Sequence, residues 1–170
     1  MTGEQATFLA QYFAGLMDSE RAATLKVLRA VPDDRRDYRP DAKSRTAWEL
    51  ATHIAQADVW FVECIVNGAF TFDQPGTKAL IDGFGDIAGV VAYYEKAMPA
   101  AIARVRAMSA EEATRQVDFF GLFQQPAAAL LGLANNHGIH HRGQLASYLR
   151  AMDSKVPPIY GDSADQPFGT

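Results

Sequence analysis

The chain has 170 residues, 48% of them apolar and 21% charged, which is the balance of a folded globular protein rather than a disordered one. This length predicts a single domain over residues 1–170. Its 16 basic and 20 acidic side chains leave a formal charge of −4, so no surplus of positive charge is available for phosphates. We therefore expect no nucleic-acid partner.

The amino terminus and the cysteine content indicate the compartment. Cys64 is the single cysteine, so the chain can form neither an internal disulfide nor a CxxC motif. The first basic residue is Arg21, and the amino terminus therefore lacks the basic start of a signal peptide. Residues 119–141 are uncharged, but they contain a proline, several amides and histidines, which a bilayer-spanning helix rarely holds. We expect a cytoplasmic protein with no membrane partner.

Apolar residues at helical spacing predict an all-α fold, a bundle of four long helices in one domain. The first helix is expected over residues 4–30, beginning with a capping box formed by Thr2 and Gln5. Its apolar stripe is predicted to consist of Phe8, Tyr12, Leu16, Ala23 and Val27.

A long loop is predicted between the first two helices. Residues 31–45 contain two prolines and clustered charges, which oppose both helix continuation and burial. Thr46 and Glu49 then form a second capping box, so helix two is expected to begin there and to end near Gly68.

The next segment alternates helix breakers with apolar residues. Residues 69–85 contain a proline and three glycines, and their structure stays open apart from one possible short helical turn. Residues 86–108 predict the third helix, with Pro99 as a candidate kink.

The carboxyl-terminal third predicts the fourth helix and an extended tail. Residues 109–112 form a capping box for a short turn, and an aromatic cluster follows at Phe119, Phe120 and Phe123. Helix four is expected to begin at Pro126 and to run to about Met152. The proline-rich residues 156–161 cannot be helical and are predicted to pack as an extended strap.

All four histidines lie in helices two and four. On a helical projection His137 and His141 are about 40° apart and share the inward stripe of helix four. His53 falls on the apolar face of helix two, whereas His140 falls about 60° away from His137 on the flank. Three histidines are therefore expected to meet in one core.

Buried imidazoles need polar partners, because an unsatisfied buried polar group is costly. A divalent metal would satisfy all three, and His-x3-His with a third histidine from a neighbouring helix suits a three-nitrogen site with open positions. We predict His53, His137 and His141 as its ligands. Cys64 lies about 16 Å along the helix from His53, so it is interpreted as core filler. A core of purely structural histidines is the alternative.

Other polar residues near this stripe have weaker assignments. Asp58 and Glu63 fall off the stripe of helix two, so neither is proposed as a base. Tyr148 is roughly in phase with His141 and is either a candidate base or a core aromatic. Gln144 and Arg142 either orient a ligand or only cap and solvate the helix.

Three segments carry a family resemblance. Residues 136–145, Asn-His-Gly-Ile-His-His-Arg-Gly-Gln-Leu, together with residues 147–150 and 156–162, resemble the carboxyl-terminal signature of the DinB-like, DNA-damage-inducible family. Residues 48–58 look like the second-helix histidine segment of that family. The resemblance implies a DinB-like four-helix bundle that binds a divalent metal through the same three histidines, and it implies a homodimer.

The resemblance also suggests a reaction class. Related proteins include metal-dependent transferases and isomerases that use low-molecular-weight thiols such as bacillithiol or mycothiol. We therefore predict a metal-dependent transferase or hydrolase that acts on a small-molecule substrate, with no further catalytic residue assigned. Zinc is the first expectation for the metal, and nickel, iron and manganese are alternatives. The rival hypothesis is a non-catalytic, stress-associated bundle whose metal is structural.

Overall fold

The computed structural model describes residues 1–167, and most of them are helical. In chain order the elements are α1 (Gly3–Arg29), α2 (Ala47–Asn67), α3 (Gln74–Asp82), α4 (Ile87–Arg106), α5 (Ala110–Thr114), β1 (Gln116–Phe119), β2 (Phe123–Pro126) and α6 (Ala127–Tyr148). The long helices α1, α2, α4 and α6 pack together, which confirms the all-α four-helix bundle. No helix in residues 1–167 is long and apolar enough to span a membrane.

The predicted capping boxes all form. At the start of α2, Glu49 N–H donates to Thr46 Oγ1 at 3.1 Å, and Thr46 N–H donates to Glu49 Oε2 at 2.7 Å. The same reciprocal pair forms at α1 and at α5. Because each box satisfies backbone donors that have no partner inside the helix, these starts are encoded locally.

Two short features go beyond the prediction, namely a helix longer than the single turn that the sequence suggested and a β-hairpin. Residues 74–82 form α3, where Asp73 caps the first turn by accepting Gly76 N–H at 3.0 Å. Strands β1 and β2 pair antiparallel, and the turn between them places Phe120 and Gly121 at positive φ. The all-α prediction did not include this hairpin, because strands of four residues are too short to show a recognisable alternation of apolar and polar residues.

Helix α1 buries only part of the predicted stripe, since Val27 is buried but Phe8 and Tyr12 are not. Phe8 is 72% exposed and Tyr12 is 55% exposed, whereas Ala6, Ala10 and Ala14 are buried. The prediction was wrong for Phe8 and Tyr12 because it followed the largest apolar side chains. In this half of α1 the small alanine side chains are buried instead.

The connections mostly follow the prediction. Residues 31–45 form a loop with one 3-10 turn at Asp33–Arg35, and α4 continues through Pro99. After α6 a 3-10 turn spans Leu149–Met152, and the tail that follows is not helical. Ser154 Oγ donates to Ala30 O at 2.6 Å, which ties the tail to the end of α1.

Candidate metal centre

Three histidines from two helices converge at one place. His53 of α2 and His137 and His141 of α6 each offer one ring nitrogen, and these nitrogens lie within 4.8 Å of one another. The ring centroids are 5.1 Å apart for His53 and His137, and 4.5 Å apart for each of the other two pairs. All three side chains are partly exposed, so the group has access to solvent.

The surroundings favour the neutral form of two of these imidazoles, His53 and His141. Burial, the charge of Arg45 and the neighbouring histidines lower the pKa of His53 from 6.5 to about 3. Burial also lowers the pKa of His141, against an opposing hydrogen bond from Gln144. Neutral imidazoles are the form that binds a metal, so the electrostatics suit coordination near neutral pH.

Gln144 orients one of these rings. His141 Nδ1 lies 2.7 Å from Gln144 Oε1 and, because a carbonyl oxygen only accepts, this nitrogen carries the proton. His141 Nε2 is therefore the atom left to bind a metal. His140, as predicted, lies outside the group: it is exposed, and only its ring contact with His141, 4.9 Å between centroids, links it to the site.

Asp58 lies beside this group, although the sequence placed it off the inward stripe. Its side chain is buried in the interface of α2 with α4 and α6. Tyr94 Oη donates to Asp58 Oδ2 at 3.0 Å, and His137 Nδ1 lies 3.8 Å from Asp58 Oδ1. Burial raises the pKa of Asp58, while His137 and Tyr94 oppose that effect.

The burial of Asp58 was not predicted, because the prediction considered a single face of helix two. Helix α2 packs against both α4 and α6, so it buries a second stripe. Asp58 falls on that stripe, at helical spacing from the buried residues Ala51, Ile54, Ala55, Val62 and Ile65. The sequence did contain a signal for this burial, which is that Asp58 interrupts an otherwise continuous apolar stripe.

Arg142 is also buried, and it supports the fold rather than the histidine group. Its Nη1 lies 2.6 Å from Glu20 Oε2, and its Nη2 donates to Tyr160 Oη. Tyr160 Oη in turn donates to Glu20 Oε2 at 2.8 Å. Of the two predicted roles for Arg142, solvation of the helix is wrong, because the guanidinium is enclosed between α1, α6 and the tail.

Tyr148 and Cys64 pack against other parts of the fold. Tyr148 packs edge-on against Tyr38, with ring centroids 5.6 Å apart, as a core aromatic would. Cys64 is buried, its Sγ contacts Thr71 O at 3.9 Å, and burial raises the pKa of its thiol. Cys64 does not belong to the group of potential metal ligands in residues 1–167.

The donor set fits a divalent transition metal. Three imidazoles at this spacing match a three-nitrogen site, and with three protein ligands further coordination positions would stay open. Phe61 packs against His137 with centroids 4.8 Å apart, so one side of the group is apolar.

Comparison with known proteins shows what this chain is similar to. Residues 5–167 match the model of the DinB family. The chain is 30% identical over 147 residues to the uncharacterized protein YjoA of Bacillus subtilis strain 168, covering 84% of this chain and 90% of that protein.

Two crystal structures have the same fold. The DinB-like protein YjoA from Bacillus subtilis aligns with a TM-score of 0.69 at 26% identity, over 92% of this chain and 99% of that one. A DinB-like protein from Bacillus cereus ATCC 10987 aligns with a TM-score of 0.70 at 23% identity, over 87% and 95% of the two chains.

Proposed function

This chain belongs to the DinB family, and on that premise we propose that it is a metal-dependent transferase that uses a low-molecular-weight thiol, or a hydrolase. The metal ligands are His53, His137 and His141. The observation that supports the proposal is the convergence of three imidazoles from two helices, each still partly exposed to solvent. A closed structural site would instead need a fourth protein ligand.

The residues around the histidines set their charge and their orientation for metal binding. A bound divalent metal would supply a Lewis acid that lowers the pKa of a thiol or a water at an open position. Burial keeps His53 neutral at physiological pH, since its pKa is about 3. Gln144 holds His141 in one tautomer, and Phe61 shields one side of His137.

Zinc is the metal we propose, with nickel, iron and manganese as alternatives, because imidazole nitrogens suit several divalent ions. The small-molecule substrate, the cytoplasmic location and the homodimer also belong to the proposal, and the homodimer rests on the family resemblance. Light scattering after size-exclusion chromatography measures the oligomeric state directly.

Elemental analysis of untagged protein, purified without chelator or nickel resin, tests the site. We expect about one metal per chain in the parent and none in His137→Ala. His140→Ala is the matched control, because His140 is exposed and lies outside the group, and it should keep the metal. A parent that contains no metal and takes up neither zinc nor nickel would overturn the proposal.

Activity assays then separate an enzyme from a metal-binding bundle. The loaded parent is assayed for thiol transfer to small electrophiles and for hydrolysis of activated esters and amides, beside His137→Ala. Turnover that disappears in the variant supports the enzyme. Metal that raises the unfolding midpoint without any turnover favours the non-catalytic bundle instead.

A further inference from the structure

Two buried polar atoms face each other without a hydrogen bond. Asp58 Oδ1 and His137 Nδ1 are among three buried side-chain atoms in residues 1–167 that have no partner, and they lie 3.8 Å apart. Buried polar groups are otherwise almost always paired. Two such atoms opposite each other indicate a histidine–carboxylate pair that needs only a small approach to form a hydrogen bond.

The protein holds the Asp58 carboxylate firmly in this place. Tyr94 Oη donates to its second oxygen at 3.0 Å. Gly138 leaves the space that the carboxylate occupies, since a Cβ there would lie 2.9 Å from Oδ1 and 3.0 Å from Oδ2. The guanidinium of Arg142 is nearby, but it forms its ion pair with Glu20 rather than with Asp58.

The geometry assigns Asp58 as the positioning residue of His137: it accepts the Nδ1–H of that ring and leaves Nε2 free for the metal. This assignment rests on the proposed metal site. Metal-binding histidines commonly donate their other N–H to a carboxylate, which fixes the tautomer and makes the ring a stronger ligand. We expect the contact to shorten to a hydrogen bond when the metal binds.

Other roles for Asp58 do not fit its position. Within residues 1–167 the cluster of potential metal ligands consists of the three histidines, so Asp58 lies outside it. Its side chain is only 7% exposed and lies behind His137, so it is not placed to contact a substrate. It acts through His137.

His141 provides an internal comparison. Its Nδ1 pairs with the exposed amide of Gln144 at 2.7 Å, so His137 and His141 both direct Nδ1 toward a side-chain acceptor. The acceptor of His137 differs in being buried and ionisable. Removing Asp58 should therefore weaken metal binding more than removing Gln144 does.

The first test measures zinc affinity by competition with a chromophoric chelator at pH 8. We expect Asp58→Ala to lose about 10- to 100-fold in affinity at unchanged stoichiometry, and Gln144→Ala to lose less. Asp58→Leu fills a similar space without any hydrogen-bond acceptor, so it replaces Asp58→Ala if that variant fails to fold. Zinc affinity equal to the parent in a folded Asp58 variant would overturn the assignment.

The second test reads the tautomer of His137 from its 15N chemical shifts in metal-free protein at pH 8. The parent should carry the proton on Nδ1, and Asp58→Ala should shift His137 toward the other tautomer while His141 stays unchanged. An unchanged His137 tautomer would overturn the assignment. A parent that binds no zinc overturns the metal site instead, and the tautomer still reports on Asp58 alone.

Discussion

Asp58 and Arg142 are two buried charged side chains with opposite surroundings. Arg142 is 2% exposed, and its guanidinium is paired with the Glu20 carboxylate and the Tyr160 hydroxyl. Asp58 is 6% exposed, and one of its two oxygens has no hydrogen-bond partner. Both line a cavity of about 20 Å³, which is room for about one water molecule. Complete pairing indicates a structural role, whereas incomplete pairing beside a ligand group indicates a functional one.

The two residues also join different parts of the fold. Arg142 links α6 to Glu20 of α1 and to Tyr160 of the carboxyl-terminal tail. Asp58 links α2 to Tyr94 of α4 and faces His137 of α6. The first network holds elements together, and the second positions a histidine. Substitutions that separate stability from metal binding test this difference.

The largest loss of stability is expected for Arg142→Ala. Removing the guanidinium leaves the Glu20 carboxylate without its cation in a poorly solvated place. Breaking a fully buried ion pair in this way lowers the free energy of unfolding by about 3–5 kcal/mol. Urea unfolding of metal-free protein measures the change. Lys78→Ala is the control, since it removes an exposed pair with Asp82 and should leave the midpoint nearly unchanged. Equal midpoints for the two variants would contradict the structural role of Arg142.

Gly138→Ala should lower stability by about 1–3 kcal/mol, because the new methyl group overlaps the Asp58 carboxylate. Gly143 lies in the same helix with nothing within 4 Å of its added Cβ. Gly143→Ala should therefore raise stability by up to about 1 kcal/mol through helix propensity alone. Thermal unfolding of the two variants gives the comparison, and stabilisation by Gly138→Ala would show that Asp58 is not confined.

Asp58→Asn should change the stability of the metal-free protein by only about 1 kcal/mol or less. The substitution removes a buried charge that has no complete set of partners, so little favourable interaction is lost. Urea unfolding with chelator present measures it. A loss comparable to that of Arg142→Ala would show that Asp58 is as structural as Arg142 and would remove the contrast between them.

The smallest expected effect is on pH dependence. The pKa of His53 falls to about 3 on folding, so the unfolded chain binds more protons between about pH 3 and 6.5. This histidine therefore contributes stability above pH 6.5 that is lost progressively as the pH falls toward 3. His53 remains partly exposed, so solvent screening reduces the effect.

His53→Gln removes this titration and should flatten the fall in stability between pH 7 and pH 5. Urea midpoints of metal-free parent and variant at the two pH values measure it. The contribution of Asp58, whose raised pKa has the opposite sign, is common to both proteins and cancels in the difference. Parallel pH profiles for the two proteins would contradict the lowered pKa of His53.

Helix starts and the histidine group were predictable because they depend on short stretches of chain. A capping box such as Thr46 with Glu49 is complete within four residues. The spacing of His137 and His141 places them on one face of any regular helix. His53 shares the apolar face of its own helix, and two apolar faces in a bundle must meet. These features follow from periodicity and local hydrogen bonding.

Only the tertiary structure decided which other faces are buried. Phe8 of α1 is exposed while Ala10 is buried, because the neighbouring helices set the rotation of α1. Asp58 and Arg142 are buried for the same reason, and their side-chain partners lie 18 residues or more away in the chain. Each helix is buried by several neighbouring helices at once, and the buried faces depend on how these helices pack. One periodic apolar stripe in the sequence does not show that packing.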